Sequence, residues 1–411
     1  MQRAYLEVTL VDEGNAKLPA EFIETFKVST SIYTSYPIAE MIINDNEGRM
    51  NAMLTIKPGN FIQFNFQDVD SGANYQLTPF VVSGIEQVGH SEGLPNSGKM
   101  ASLGGMVKIH MCHPWEIYTD WSDQAFDTNI SSIVSDLANQ AKKGWSFSSV
   151  KVDKTDDSQG TIRYKLQESE TEFILNKLLP YATIDHQAVY TFVNEKNEFH
   201  LHDFASMFSA VSTAVILPRP EELSQSPSVA TALKGELGSL PPHFITDGTW
   251  YLGRDFKNMI RAIQPNLLME EPKAGIAFGG NFSYQTPIPG YTLLKNTYVT
   301  SLTNTSSYAI PHRVLDDGLR LLINQVGILN SFLEIKIVTT LIFDIALVGG
   351  VINLLLASTP EVATHWMNGK WLISGADHFL SQGQYFTQLT LIKPVIETPT
   401  TDQQAALYKS S

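Results

Sequence analysis

The chain has 411 residues, 43% of them hydrophobic and 17% charged, with a formal net charge of −14. That length exceeds one ordinary core, so several compact units are expected, and the composition excludes a disordered chain. The acidity leaves no basic footprint for gripping a phosphate backbone, and the single cysteine, Cys112, excludes an internal disulfide framework and suits assembly in a reducing cytoplasm.

The opening MQRAYLEVTLVDEG has no apolar h-region, so no secretory signal is expected. Residues 1–114 then alternate apolar and polar positions between turns. AYLEVTLVD, FIETFKVSTSIY, NAMLTIK, FIQFNFQD, FVVSGIEQV and MVKIHM read as strands, and none has a helical period. The texture changes after Pro114. In ISSIVSDLANQAKK the apolar residues Ile130, Ile133, Val134, Leu137, Ala138 and Ala141 follow helical spacing. Ser169 and Glu172 stand three apart before an apolar run, the signature of a capping box. VYTFVNEKNEFHLHDF reads as a hairpin around Asn194–Asn197.

Further on, DFKNMIRAI (255–263) and HRVLDDGLRLLINQVGILN (312–330) have apolar helical stripes, separated by Pro/Gly/Ser-rich stretches that read as exposed loops. Strands return from Phe332 in FLEIKIVTT, KWLISGADHF and YFTQLTLIKP, and IETPTTDQQAALYKSS closes as a mobile polar tail. LIFDIALVGGVINLLLAS, residues 341–358, is long enough to span a membrane. Asp344 within it, the Gly349-Gly350 pair and the lack of basic flanks argue instead for two strands joined at the glycines and buried on both faces. Val351, Ile352, Leu354 and Leu356 are the candidate buried or interface positions there.

An internal repeat organises these strands. Gly59 leads GNFIQFNF and Gly349 leads GGVINLLL, with amides at Gln63 and Asn353. Ser83-Gly84 follows the first glycine at nearly the distance that Ser374-Gly375 follows the second, and Pro114 and Pro394 each lie three residues beyond a strand residue, Met111 and Leu391. Three matches in one order indicate a duplicated β domain.

No motif for catalysis survives inspection. GLPNSGKM (93–100) resembles a P-loop, but Met100 replaces the magnesium-binding Ser or Thr and no helix start follows. His110 and Cys112 share a strand face while His113 points away, which suits a metal poorly. His200 and His202 share a face near Asp203 but read as a solvated strand. Asp153, Asp156 and Asp157 read as a polar loop, and Glu168, Glu170 and Glu172 as a helix start. No cofactor and no metal are expected. The rival reading of these acids is a cell-wall hydrolase working through a carboxylate pair.

The turn at Ser374–His378, the following GQYFTQLTLIKP, and RYKLQESETEFILNKLLPYA with Gln167, Glu170, Phe173 and Ile174 resemble the baseplate hub, or tube-initiator, family of contractile-tailed bacteriophages. That family is related to late-control D proteins and type VI secretion spike proteins. The resemblance implies an α+β fold with two similar antiparallel β-barrel tube domains around a mixed α/β region. The ranges are 1–114 for the first barrel, 115–205 and 250–330 for the middle, 206–249 and 331–396 for the second barrel, and 397–411 for the tail. It also implies a non-enzymatic homotrimer in the virion tail baseplate, assembled in the host cytoplasm. Its partners would be a trimeric central spike and tail tube proteins, with tape-measure and wedge proteins as further contacts. Neither sequence-specific nucleic-acid binding nor membrane insertion is implied.

Overall fold

A computed structural model describes residues 2–12, 14–45, 56–69, 72–88, 105–140, 145–157, 162–185, 187–217, 242–249, 332–339, 345–354, 369–381 and 383–394. The P-loop-like stretch, the helices expected at 255–263 and 312–330, Asp344, Leu356 and the C-terminal tail lie outside the described residues. What is described is mainly β-sheet with few helices.

The first part of the chain supplies β1 (Gln2–Leu10), β2 (Ala16–Leu18), β3 (Ile23–Ser31), β4 (Ile38–Asp45), β5 (Phe61–Asp68), β6 (Asn74–Gln76), β7 (Phe80–Val88) and β8 (Gly105–Cys112). Alternation decides which face each buries. Along β3, Phe26, Val28 and Thr30 turn inward while Lys27 and Ser29 turn out. The expected strand at 51–57 is not seen where it is described, since Ile56 and Lys57 lie outside any strand and lead into the turn at Gly59.

The middle begins at a short helix α1 (Pro114–Ile117), then β9 (Trp121–Asp127), α2 (Ile130–Ala138), β10 (Ser149–Val152) and β11 (Ile162–Ser169). The Asn129 side chain caps α2 by accepting from Ser132 N at 2.9 Å, and its apolar stripe enters the middle core. The capping box of Ser169 and Glu172 is present, but the helix it starts is short. Three residues of α3 (Glu170–Glu172) pass into a π segment, Phe173–Leu178, and a 3-10 turn, Leu179–Tyr181, with Pro180 ending the run. Next come β12 (Thr183–Ile184), β13 (Gln187–Val193), β14 (Glu198–Asp203) and α4 (Phe204–Ser209).

The last part holds β15 (Ala214–Leu217), β16 (Pro242–Thr249), β17 (Phe332–Thr339), β18 (Val351–Leu354), β19 (Gly369–Ser381) and β20 (Gln384–Pro394). Residues 345–350 form a turn rather than the first of two strands. Their apolarity serves burial without strand pairing, with Ala346 and Val348 both in the core.

Two similar antiparallel β-barrels were expected from the sequence; no closed barrel is found among the described residues, where the strands of both units make one 14-stranded sheet in which β15 pairs parallel with β16 and β18. In the first unit the neighbours run β1-β5-β7-β8-β4-β3, and in the second β15-β18-β19-β20-β17-β16. The long β19–β20 hairpin belongs to both. Its base places Trp371, Leu372, Leu389 and Leu391 in the second core, while its tip places Leu380 and Tyr385 in the first. Gly375–Ser381 pairs with Ser31–Thr25 of β3, and Gln384 and Tyr385 pair with Arg3 and Gln2 of β1. The tip is therefore a part of the first unit supplied from the far end of the chain.

Leu380→Ala is accordingly expected to cost about 2–4 kcal/mol, the usual range for emptying a buried leucine site. Urea unfolding followed by the near-ultraviolet signal measures it, and a loss below about 0.5 kcal/mol, the level of an ordinary surface change, would show the tip to be dispensable.

Candidate functional site

Among the described residues, a densely bonded polar site lies at the junction where the β13–β14 hairpin enters between the two β units. Asn194, Glu195, Lys196 and Asn197 form its tip. The Asn194 side-chain oxygen accepts from Lys196 N at 3.0 Å and Glu198 N at 3.1 Å, and Asn197 takes the left-handed conformation at φ 61°. Asparagine tolerates both duties, which is why this sequence turns here.

Glu195 is fully buried and reaches both units. Its Oε1 accepts from the Thr30 hydroxyl on β3 and lies 3.4 Å from Nε2 of His378 on β19. Its Oε2 accepts from Val348 N at 3.3 Å, and its backbone carbonyl from Thr78 N at 2.8 Å. His378 is held from behind: Nδ1 is 2.7 Å from the Tyr385 hydroxyl, which accepts from Thr387 at 2.8 Å. With the Tyr385 O–H donating to Nδ1, Nε2 is left to donate to Glu195. Burial pushes the Tyr385 phenol well above its ordinary range, so it stays a donor.

Asn197 ties the same tip to the middle unit. Its Oδ1 accepts from Thr78 Oγ1 at 3.2 Å and from His113 Nε2 at 3.0 Å, and its Nδ2 donates to Ser146 O at 2.9 Å. His113 Nδ1 in turn accepts from Trp115 N at 3.3 Å. Burial pushes the His113 pKa down to about 3, so the ring is a neutral brace with both nitrogens used. Cys112 is likewise buried, and its thiol is pushed up to about 12 by that burial.

Gly349 sits beside this junction, next to the Val348 amide that bonds Glu195, and Gly59 is its counterpart in the first unit. Gly59 and Gly349 both have positive φ, 91° and 81°. Gly59 N donates to Val82 O at 2.8 Å and Val82 N to Asn60 O at 3.0 Å; Gly349 N donates to Ile373 O at 2.9 Å and Ile373 N to Gly350 O at 2.9 Å. The same bond pair thus recurs one residue before Ser83-Gly84 and Ser374-Gly375. A bulge follows in both places, between Val82 and Gly84 against β8, and between Ile373 and Gly375 against β20. A further bulge recurs between Ile23 and Thr25 against β4 and between Ile245 and Asp247 against β17. Registers agree for five strands of each unit, with Phe61↔Val81 matching Val351↔Leu372, and Ala39↔Met111 matching Ile335↔Leu391, whereas β1 pairs antiparallel with β5 and β15 pairs parallel with β18. Val351, Ile352 and Leu354 are each wholly buried in the second core.

The remaining candidates are structural in their contacts. His200 and His202 are not a solvated pair: they are largely buried, 3.1 Å apart, and His202 Nδ1 is 2.7 Å from Asp153. Burial lowers the His200 pKa, and its ring stacks on Phe192. Asp157 is also buried rather than in an open loop, accepting from Ile130 N and pairing with Arg163 at 2.8 Å. Lys165, fully buried, stands 3.8 Å from Glu170. Among the described residues no cluster of His, Cys, Asp or Glu could hold a metal ion, and no helix is long and apolar enough to cross a membrane.

No known family model matches the sequence, and no curated protein matches it. Solved structures do match the fold. A tail protein from Neisseria meningitidis MC58 aligns over 95% of this chain and 97% of its own with a TM-score of 0.52 and 11% identity. This chain has the fold of a phage tail protein. The 43 kDa tail protein of prophage MuSo2 from Shewanella oneidensis gives a TM-score of 0.50 at 10% identity, over 96% of this chain and 98% of that one. The fold is thus shared over nearly the whole of each chain at 10–11% identity.

The two glycines provide a test of the junction. A Cβ on Gly349 would lie 2.4 Å from the Phe192 ring, whereas at Gly59 the nearest atom is 4.0 Å away. Gly59→Ala is expected to cost only the left-handed backbone penalty of about 1–2 kcal/mol. Gly349→Ala should cost that and about 1–3 kcal/mol more from overpacking. Equal losses in chemical denaturation would refute the close packing of Phe192 on Gly349.

Proposed function

We propose that this chain is the structural hub of a phage tail baseplate, acting as a homotrimer that joins the tail tube to a central spike. The observation that carries the reading is the register match between two β units in one chain, read as a duplication. On this reading each unit is one tube barrel. Three copies then present six near-equivalent units to a six-fold tube while keeping a true three-fold axis for a trimeric spike. Tape-measure and wedge proteins are further contacts of the same assembly.

The work is mechanical rather than catalytic. A hub must hold its two units at a fixed angle, set a channel, and transmit load without yielding. A welded junction meets that requirement: a buried glutamate bonded to three elements, and a hairpin with residues in two cores. The acidic chain suits a channel through which a polyanion passes without sticking.

Electron microscopy of the purified chain, alone and mixed with its spike, tests the assignment. Three-fold rings with six lobes around a pore are expected. Compact single chains under both conditions would overturn it, as would clearing of peptidoglycan by the chain alone.

A further inference from the structure

The tip of the β13–β14 hairpin is held by histidines whose bonds need them neutral. At Asn194 the side-chain oxygen is taken by the Lys196 and Glu198 amides. That leaves Nδ2 to donate to the Glu198 carboxylate at 2.7 Å and to face Nε2 of His200 at 3.2 Å. An amide nitrogen only donates, so His200 Nε2 accepts and carries no proton. The proton of the neutral ring then lies on Nδ1, which donates to Nε2 of His202 at 3.1 Å, and His202 Nδ1 donates to Asp153 at 2.7 Å. Every bond in this row runs one way, from Asn194 to Asp153.

Asn197, at the other end of the tip, is held in the same manner. Its oxygen accepts from His113 Nε2, while His113 Nδ1 accepts from Trp115 N. Neither His200 nor His113 has room for a second proton without losing an acceptor. His378 differs, because its Nε2 faces the Glu195 carboxylate, which attracts a positive ring.

The groups around His200 set when it charges. Burial opposes the charge most strongly, with the ring stacked on Phe192. Glu198 lies 3.5 Å from Nε2 and favours a proton there, but Lys151 of β10 already pairs with that carboxylate at 3.0 Å. His202 and Lys151 add to the opposition, and the sum keeps the ring below the ordinary histidine range. Asp153 and Ser206 of α4 close the far end of the row. His113 is enclosed by Tyr36, Trp145 and Phe147, and burial keeps the Tyr36 phenol neutral.

We propose that the hairpin tip is an acid-released latch: a proton on His200 Nε2 replaces the acceptor of Asn194 with a donor, and the tip withdraws from between the β units. Asn194 then no longer orders the turn, so Glu195 leaves Thr30, His378 and Val348, and Asn197 leaves His113. The cores stay folded, and what is lost is the coupling between the three bodies. Linkage gives the direction. A ring whose pKa is depressed in the closed state takes up its proton on opening. The closed state is therefore favoured above the ordinary histidine value of about 6.5 and loses ground as the pH falls below it. The latch belongs to the chain itself and does not rest on the hub assignment.

Amide exchange of the full chain at about pH 7.5 and about pH 5.5, either side of the ordinary histidine value and corrected for intrinsic rates, tests it. The Lys196, Glu198 and Val348 amides report the tip directly, because the Asn194 and Glu195 side chains accept from them. Their protection is expected to fall about fivefold or more at the lower pH, while the amides of β5 keep theirs. In His200→Gln a side-chain oxygen accepts from Asn194 without titrating, so the fall at Lys196 and Glu198 should shrink at least about threefold. Unchanged protection in the native chain, an equal fall in β5, or a fall of the same size in His200→Gln would overturn the latch. The comparison of the tip with β5 in the native chain decides alone if that variant does not fold.

Discussion

The structure depends on one buried carboxylate. Glu195 sits at the tip of a hairpin from the middle of the chain, yet its bonds go to β3, to the turn before β18 and to β19. A buried charge is costly unless its lone pairs are filled, and removing one partner of such a group typically costs about 3–5 kcal/mol. Here the filling groups come from both β units, so the carboxylate is satisfied only when the units stand in one relative position. Its neighbour Asn197 does the same for the middle unit through His113 and Ser146. A four-residue turn therefore fixes three bodies at once.

The hydrophobic side of that constraint is the β19–β20 hairpin. Its base belongs to one core and its tip to the other, so neither core can melt without exposing part of the same two strands. Gly349 lets the arrangement close, since Phe192 from the middle hairpin occupies the space a side chain would need. Rigid coupling of this kind is of little use to a protein that binds and releases small molecules, and it meets the mechanical requirement of the proposed hub. The fold shared with two phage tail proteins is in keeping with that role.

Much of this was legible in the sequence, and what was not has a physical explanation. Gly59, Ser83-Gly84, Gly349 and Ser374-Gly375 stood out because a left-handed turn and a bulge leave small residues at fixed spacing. The equally close match of β3–β4 to β16–β17 was invisible, because a register shift there leaves no glycine or other mark in common. Residues 345–350 look like a strand because continuous apolarity reports burial, not backbone pairing. Glu195 was missed altogether. VNEKNEF has the composition of a solvated hairpin tip, and the partners that bury it are more than a hundred residues away. Asp157 and His200 were misread although their partners are nearer in sequence, Ile130 and Arg163 for Asp157, Phe192 and His202 for His200, because polarity within a short window does not report burial.

The central claim is that the two β units are one mechanical body. Native-state hydrogen exchange across a urea series tests it most directly, by comparing amides of β3 and β4 with those of β17 and β18. A single shared opening free energy, with the same urea dependence for both sets, is the expected result. Two distinct openings, one unit exchanging while the other stays protected, would contradict the account.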